Sequence, residues 1–128
     1  MLYHVNYMEN QDHKIEFYQN RRGDCPANDF LESLANRPRM KTAAWLKLLQ
    51  EKGPNLRRPY ADMLQDAIRE LRISYGRLEI RMLYFIHGRR IVISHGFLKK
   101  QWATPHDEIE AAKRQHTLWL LKLGSEGR

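Results

Sequence analysis

Four side chains in the second half of the chain combine the residue types that phosphoryl chemistry needs. Arg81 interrupts the apolar run "LEIRMLYFI", and His95, Lys99 and Lys100 follow in "ISHGFLKK". An arginine offers an oxyanion a planar fork of donors. A histidine can give or accept a proton near neutral pH, and paired lysines place charge where a phosphate accumulates it. Taken singly, each has a plainer explanation: Arg81 as a solvated residue on an open sheet face, His95 as a hydrogen-bonded structural histidine, and the lysines as a solvated loop pair. The functional reading rests on all four falling at one end of adjacent strands. Further cations, Arg69, Arg72, Arg77, Arg89 and Arg90, lie on or between the same strands, so the sheet is expected to present a positive face that suits nucleic acid.

These residues need a frame of strands. From Ile68 onward "IRELRI", "LEIRMLYFI" and "IVISHGF" carry β-rich patterns, separated by "SYGR" and "HGRR", hairpin spacings that contain Gly. They predict a three-stranded antiparallel meander. Its middle strand puts Leu78, Ile80, Met82, Tyr84 and Ile86 on one side, and Glu79, Arg81, Leu83 and Phe85 on the other. Upstream, "KIEFYQ" reads as a short strand whose partner comes from later in the chain. Pro26 opens a short helix bearing Phe30, Leu31 and Leu34, and a second helix runs from about Arg39 to Lys52 and closes at Gly53-Pro54. The two helices are expected to form a hairpin. The last helix has Thr104 as N-cap, Pro105 at its first position, and Ile109, Ala112, His116, Trp119 and Leu123 at helical spacing. The predicted fold is α+β: a small twisted antiparallel sheet, made of the N-terminal strand and the meander, with an N-terminal helix pair and a C-terminal helix covering one face. A single domain spans 1–128, of which residues 1–13 have no assigned element.

Bulk properties limit the function classes. The chain has 128 residues and a net charge of +7, with a pI near 9.8, which favours a polyanionic partner. A lone cysteine, Cys25, allows no internal disulfide, and no leader pattern opens the chain, so a cytoplasmic protein is expected. The longest apolar run, "MLYFI", is far too short to span a membrane. There is no phosphate-binding glycine loop, no H-E-x-x-H and no cysteine pair. His4, His13, His87, His95, His106 and His116 lack metal-ligand spacing, so neither a metal nor another cofactor is assigned.

The segment "AIRELRISYGRLEIRMLYFIHGRRIVISHGFLKKQWATPHDEIEAAKRQ" resembles the C-terminal signature of the RelE/ParE toxin superfamily, in its phage-associated HigB-like branch. The parts shared are an "ELR" strand, an arginine-bearing apolar strand, a third strand ending in "HGF-x-KK", and a "TP-x-x-E-I-x-x-A" helix. "LLQEKGPNLRRPY" is similar to the family's helix end and basic loop, which brings in Arg57 and Arg58, and the resemblance covers roughly 15–121. Asp62 stands near the place where a loop lysine is usual. The resemblance implies a toxin of a type II toxin–antitoxin system that enters the ribosomal A site and cuts mRNA without a metal. Its partner would be a helix-turn-helix antitoxin, with operator DNA met only through that complex and no membrane involved. On that reading Arg81, His95, Lys99 and Lys100 are catalytic, and Arg57, Arg58, Arg69, Arg72, Arg77, Arg89 and Arg90 bind nucleic acid. The alternatives are a gyrase-inhibiting toxin of the ParE kind and a non-catalytic phage-derived nucleic-acid-binding protein.

Overall fold

A computed structural model describes residues 13–126. The segment without an assigned element in the sequence lies, up to residue 12, outside the described residues. The elements are β1 (Lys14–Phe17), α1 (Pro26–Ser33), α2 (Asn36–Lys52), β2 (Ala61–Met63), β3 (Arg69–Tyr75), β4 (Leu78–His87), β5 (Arg90–Leu98) and α3 (His106–Glu126). The α+β class, the helix pair and the meander are as the sequence predicts. The sheet has five strands in the order β1-β5-β4-β3-β2. β1 finds its partner in β5, in parallel, with Lys14 opposite Arg90, so the sheet is mixed. A parallel pair needs a long crossover, and everything between β1 and β5 supplies it. β2 is a three-residue edge strand on β3, too short to carry a readable period.

α2 starts at Asn36, earlier than the sequence suggests. Pro38 falls in its first turn, where a missing N–H costs no helical hydrogen bond. Gly53 ends the helix at φ 54°, a conformation that favours glycine. At the other end of the chain, Thr104 does not immediately precede α3. The helix begins at His106, and the Thr104 hydroxyl instead donates to Glu70 at 2.6 Å, a buried carboxylate that needs a donor.

The helices do not share one face of the sheet. α1 and α2 cover the side of Leu71, Ile73, Ile80, Met82, Tyr84, Ile91 and Ile93, whereas α3 lies on the other, against Leu83, Phe85 and Val92. The correction follows from β4 itself: Leu83 and Phe85 continue its apolar character on the second face, and a strand apolar on both faces needs cover on both.

β5 contains the feature that shapes everything downstream. Leu83 lies opposite His95 but Tyr84 lies opposite Ile93, leaving Ser94 as an extra residue. Unbroken alternation would send His95 and Phe97 to the side of Ile91 and Ile93. The bulge reverses this and turns them to the α3 side. Gly96 then faces α1 at the point where Phe30 crosses the strand, and a Cβ there would run into the Phe30 ring and the Met82 sulfur. Gly96→Ala is therefore expected to cost about 1–3 kcal/mol through overpacking, read from urea titrations, with Phe30→Leu relieving part of the loss in the double variant. A cost below about 0.5 kcal/mol, the size of an ordinary surface change, would show that α1 does not rest on this glycine.

Candidate functional site

α3 follows its sheet face toward the β4–β5 turn: Glu108 meets His95, His116 stacks on Phe85 and Trp119 meets His87. Toward the start of β4 the same face carries polar side chains. Arg72 lies opposite Arg81, Ser74 opposite Glu79, Asp62 opposite Glu70, and Phe97 opposite Arg81. Lys99 follows at once, its backbone N–H donating to the Glu79 carbonyl at 2.7 Å.

Arg81 is not solvated. It is 3 % exposed and Glu70 is 4 % exposed. Its Nη1 donates to the Ile80 carbonyl at 3.0 Å and reaches the Glu79 carboxylate at 3.3 Å. Its Nε lies 3.7 Å from Glu70, beyond good hydrogen-bonding distance, and has no hydrogen-bond partner. The face therefore holds a buried cation with one donor unspent. Glu79 has a side chain 44 % exposed, accepts from the Ser74 hydroxyl at 2.8 and 3.0 Å as well as from Arg81, and remains open to solvent. Burial, then the charges of Arg81 and Arg72, hold the Lys99 ammonium below the ordinary lysine range, against the opposing pull of Glu70 and Glu79. Asp62 extends the cluster: Arg58 binds it at 2.6 Å and Arg72 lies 3.9 Å away. The Arg58 hydrogen bond holds the Asp62 carboxyl below its usual range.

His95 sits differently. Its Nε2 pairs with Glu108 at 2.9 Å and its Nδ1 with the Ser94 hydroxyl at 2.8 Å. The same hydroxyl donates to Gln115 at 2.6 Å. Both ring nitrogens are thus engaged in tying β5 to α3.

The structure brings together Arg81, Lys99 and Arg72, with Arg58 joined through Asp62. Lys100 is the next residue and is exposed, as are Arg57 in the loop before β2 and Arg77 in the β3–β4 turn. The remaining cations do not extend this surface, so the single positive face expected from the sequence is not formed. Arg69 is an odd number of residues from Arg72 and points to the opposite side, where it reaches the Pro54 carbonyl at 3.4 Å. Arg89 and Arg90 lie at the other end of β5, roughly 25 Å away at the rise of an extended strand. Arg90 is held by Glu16 through bonds of 2.8 and 3.0 Å and lies over the Trp119 ring.

Glu70 and Glu79 were missed in reading the sequence, although a signal was there. "ELR" and "EIR" in neighbouring strands place each glutamate on the same face as the arginine two residues later. Among the described residues, no group of three or more His, Cys, Asp or Glu could hold a metal ion, and no helix is long and apolar enough to cross a membrane. A family model described as phage-derived protein Gp49-like matches residues 29–117, a span that contains every candidate residue named above. No curated protein matches the chain.

Removing Arg81 leaves Glu70 buried without its countercharge. Arg81→Leu is expected to lose about 3–5 kcal/mol of unfolding free energy, and adding Glu70→Gln should recover much of it while keeping an acceptor for Thr104. Denaturant titration of both variants checks this. A single-variant cost under about 1 kcal/mol, the range of exposed pairs, would mean that Arg81 is not a buried counter-ion.

Proposed function

We propose that this chain, which belongs to the Gp49-like family of phage-derived proteins within the RelE/ParE-like toxins of toxin–antitoxin systems, is a HigB-like mRNA endoribonuclease that acts in the cytoplasm on ribosome-bound messages. A helix-turn-helix antitoxin would neutralise it, and operator DNA would be met through that complex. The observation that carries the reading is the juxtaposition on one sheet face of Lys99, its amine held below the ordinary lysine range, the exposed Glu79 carboxylate and the Arg72–Arg81 pair.

Metal-free RNA cleavage needs these group types. The ribose 2′-oxygen attacks the adjacent phosphorus, the O2′–P bond forms as the P–O5′ bond breaks, and the products are a 2′,3′-cyclic phosphate and a 5′-hydroxyl. Glu79 takes the 2′-hydroxyl proton, and the Lys99 ammonium gives a proton to the leaving 5′-oxygen. Arg72 stabilises the charge that grows on the phosphate, and Arg81, buried beneath this face, adds its positive field without touching the substrate. Lys100, Arg57, Arg58 and Arg77 hold flanking phosphates. His95 positions the β5 end on α3 without touching substrate.

Inducible expression with mapping of transcript 5′ ends tests the reading. Codon-phased cuts are expected from the wild type, with a loss of order 10²-fold or more in Lys99→Ala and in Glu79→Gln at equal expression. Intact messages accompanied by DNA damage would instead indicate a gyrase inhibitor. The pH dependence has a definite sign. An acid whose pKa is lowered gives up its proton sooner, so cleavage in vitro should fall on the alkaline side at a pH below the 10.5 of an ordinary lysine. Lys99→Arg should remove that limb.

A further inference from the structure

Trp102 is 98 % exposed. The other two tryptophans are packed: Trp119 is buried against Phe85, and Trp45 rests on Tyr60 with ring centroids 5.7 Å apart. A large apolar ring left wholly in water gives up the burial that normally stabilises it, so its position calls for a reason outside the fold. The loop that carries it, between β5 and α3, is anchored on both sides by residues of the site. Lys99 is bonded to Glu79 through its backbone, and Thr104 to Glu70 through its hydroxyl. The indole therefore stands at the tip of a short loop fastened at the rim of the cationic face, with Lys99 and Lys100 just before it.

We propose that Trp102 is a stacking platform for an unpaired nucleobase of the strand whose backbone lies on Lys99, Lys100 and Arg72. The inference rests on the RNA-directed reading above. Cations that follow a backbone beside an aromatic side chain that takes a base are the combination by which proteins hold single strands without reading sequence. An apolar protein partner would be served by a patch, whereas here one wholly exposed ring stands two residues after a lysine pair. Stacking next to the reacting phosphate would also splay the backbone there, which lets the 2′-oxygen approach in line.

The test uses the full chain and a mixed-sequence single-stranded RNA with 2′-O-methyl riboses, which cannot be cut, followed by tryptophan fluorescence. RNA should quench the wild type. Trp102→Phe should lose most of the quenching while retaining most of the affinity, and Trp102→Ala should bind roughly 5- to 100-fold more weakly. The loop is exposed, so these changes should leave the unfolding midpoint in place. Equal quenching in wild type and Trp102→Phe, or Trp102→Ala affinity within twofold of wild type, would overturn the proposal. So would a Trp102→Ala variant that loses antitoxin binding with RNA binding unchanged. A wild type that is quenched by RNA but cuts no transcript would overturn the nuclease reading and leave the stacking in place. Transcript cleavage that proceeds unchanged in Trp102→Ala would overturn the stacking alone.

Discussion

The extra residue at Ser94 is the constraint on which the site depends. A strand has only two faces, and a single inserted residue exchanges them for everything that follows. Before the bulge, β5 buries Ile91 and Ile93 beneath the helix pair; after it, His95 and Phe97 join Arg81 on the opposite face, and Lys99 follows beside Glu79. The bulge is held by its own side chains, because Ser94 donates to Gln115 and His95 pairs with Glu108, both on α3. α3 is thus more than a cover for Phe85 and Val92. It keeps the strand end in the register that the cationic face needs.

Electrostatics on that face are balanced rather than simply positive. The antiparallel register sets Arg72 directly opposite Arg81, an arrangement that is unfavourable between like charges. Glu70 and Glu79 offset it, one buried and one open, and Thr104 fixes the buried one. What survives is a local excess of positive charge that falls on Lys99, where burial adds to it. Like-charge neighbours and partial burial are how an amine is brought toward the range in which it can transfer a proton. At the far end of β5, Arg90 is paired with Glu16 and laid over Trp119, where it packs the sheet edge.

Much of this was legible in the residues. Period-two runs and glycine-containing turns marked the meander, and Pro26 and Gly53 marked helix ends, because each reflects a strong local preference. The grouping of Arg81 with Lys99 followed from strand adjacency. Other features depend on pairings that leave little local trace. The parallel docking of β1 and the three-residue β2 are set by tertiary contacts, and the bulge shows itself in the sequence only as the polar pair Ser94-His95 inside a β-branched run. The separation of Arg69 from Arg72 was a matter of parity and could have been read. The burial of Arg81 beside Glu70 could not, since the loop that brings Thr104 onto Glu70 is placed by tertiary contacts.

The two ends of the sheet offer rival cationic surfaces, and the place where a strand lands decides between them. Backbone amide shifts of ¹⁵N-labelled protein, followed by NMR during titration with an uncleavable single-stranded RNA, locate that landing directly. Shifts concentrated at residues 79–81 and 97–102, together with Arg72, are expected. Shifts centred on residues 87–91, with those positions unmoved, would contradict the assignment of the bulged strand end as the RNA site.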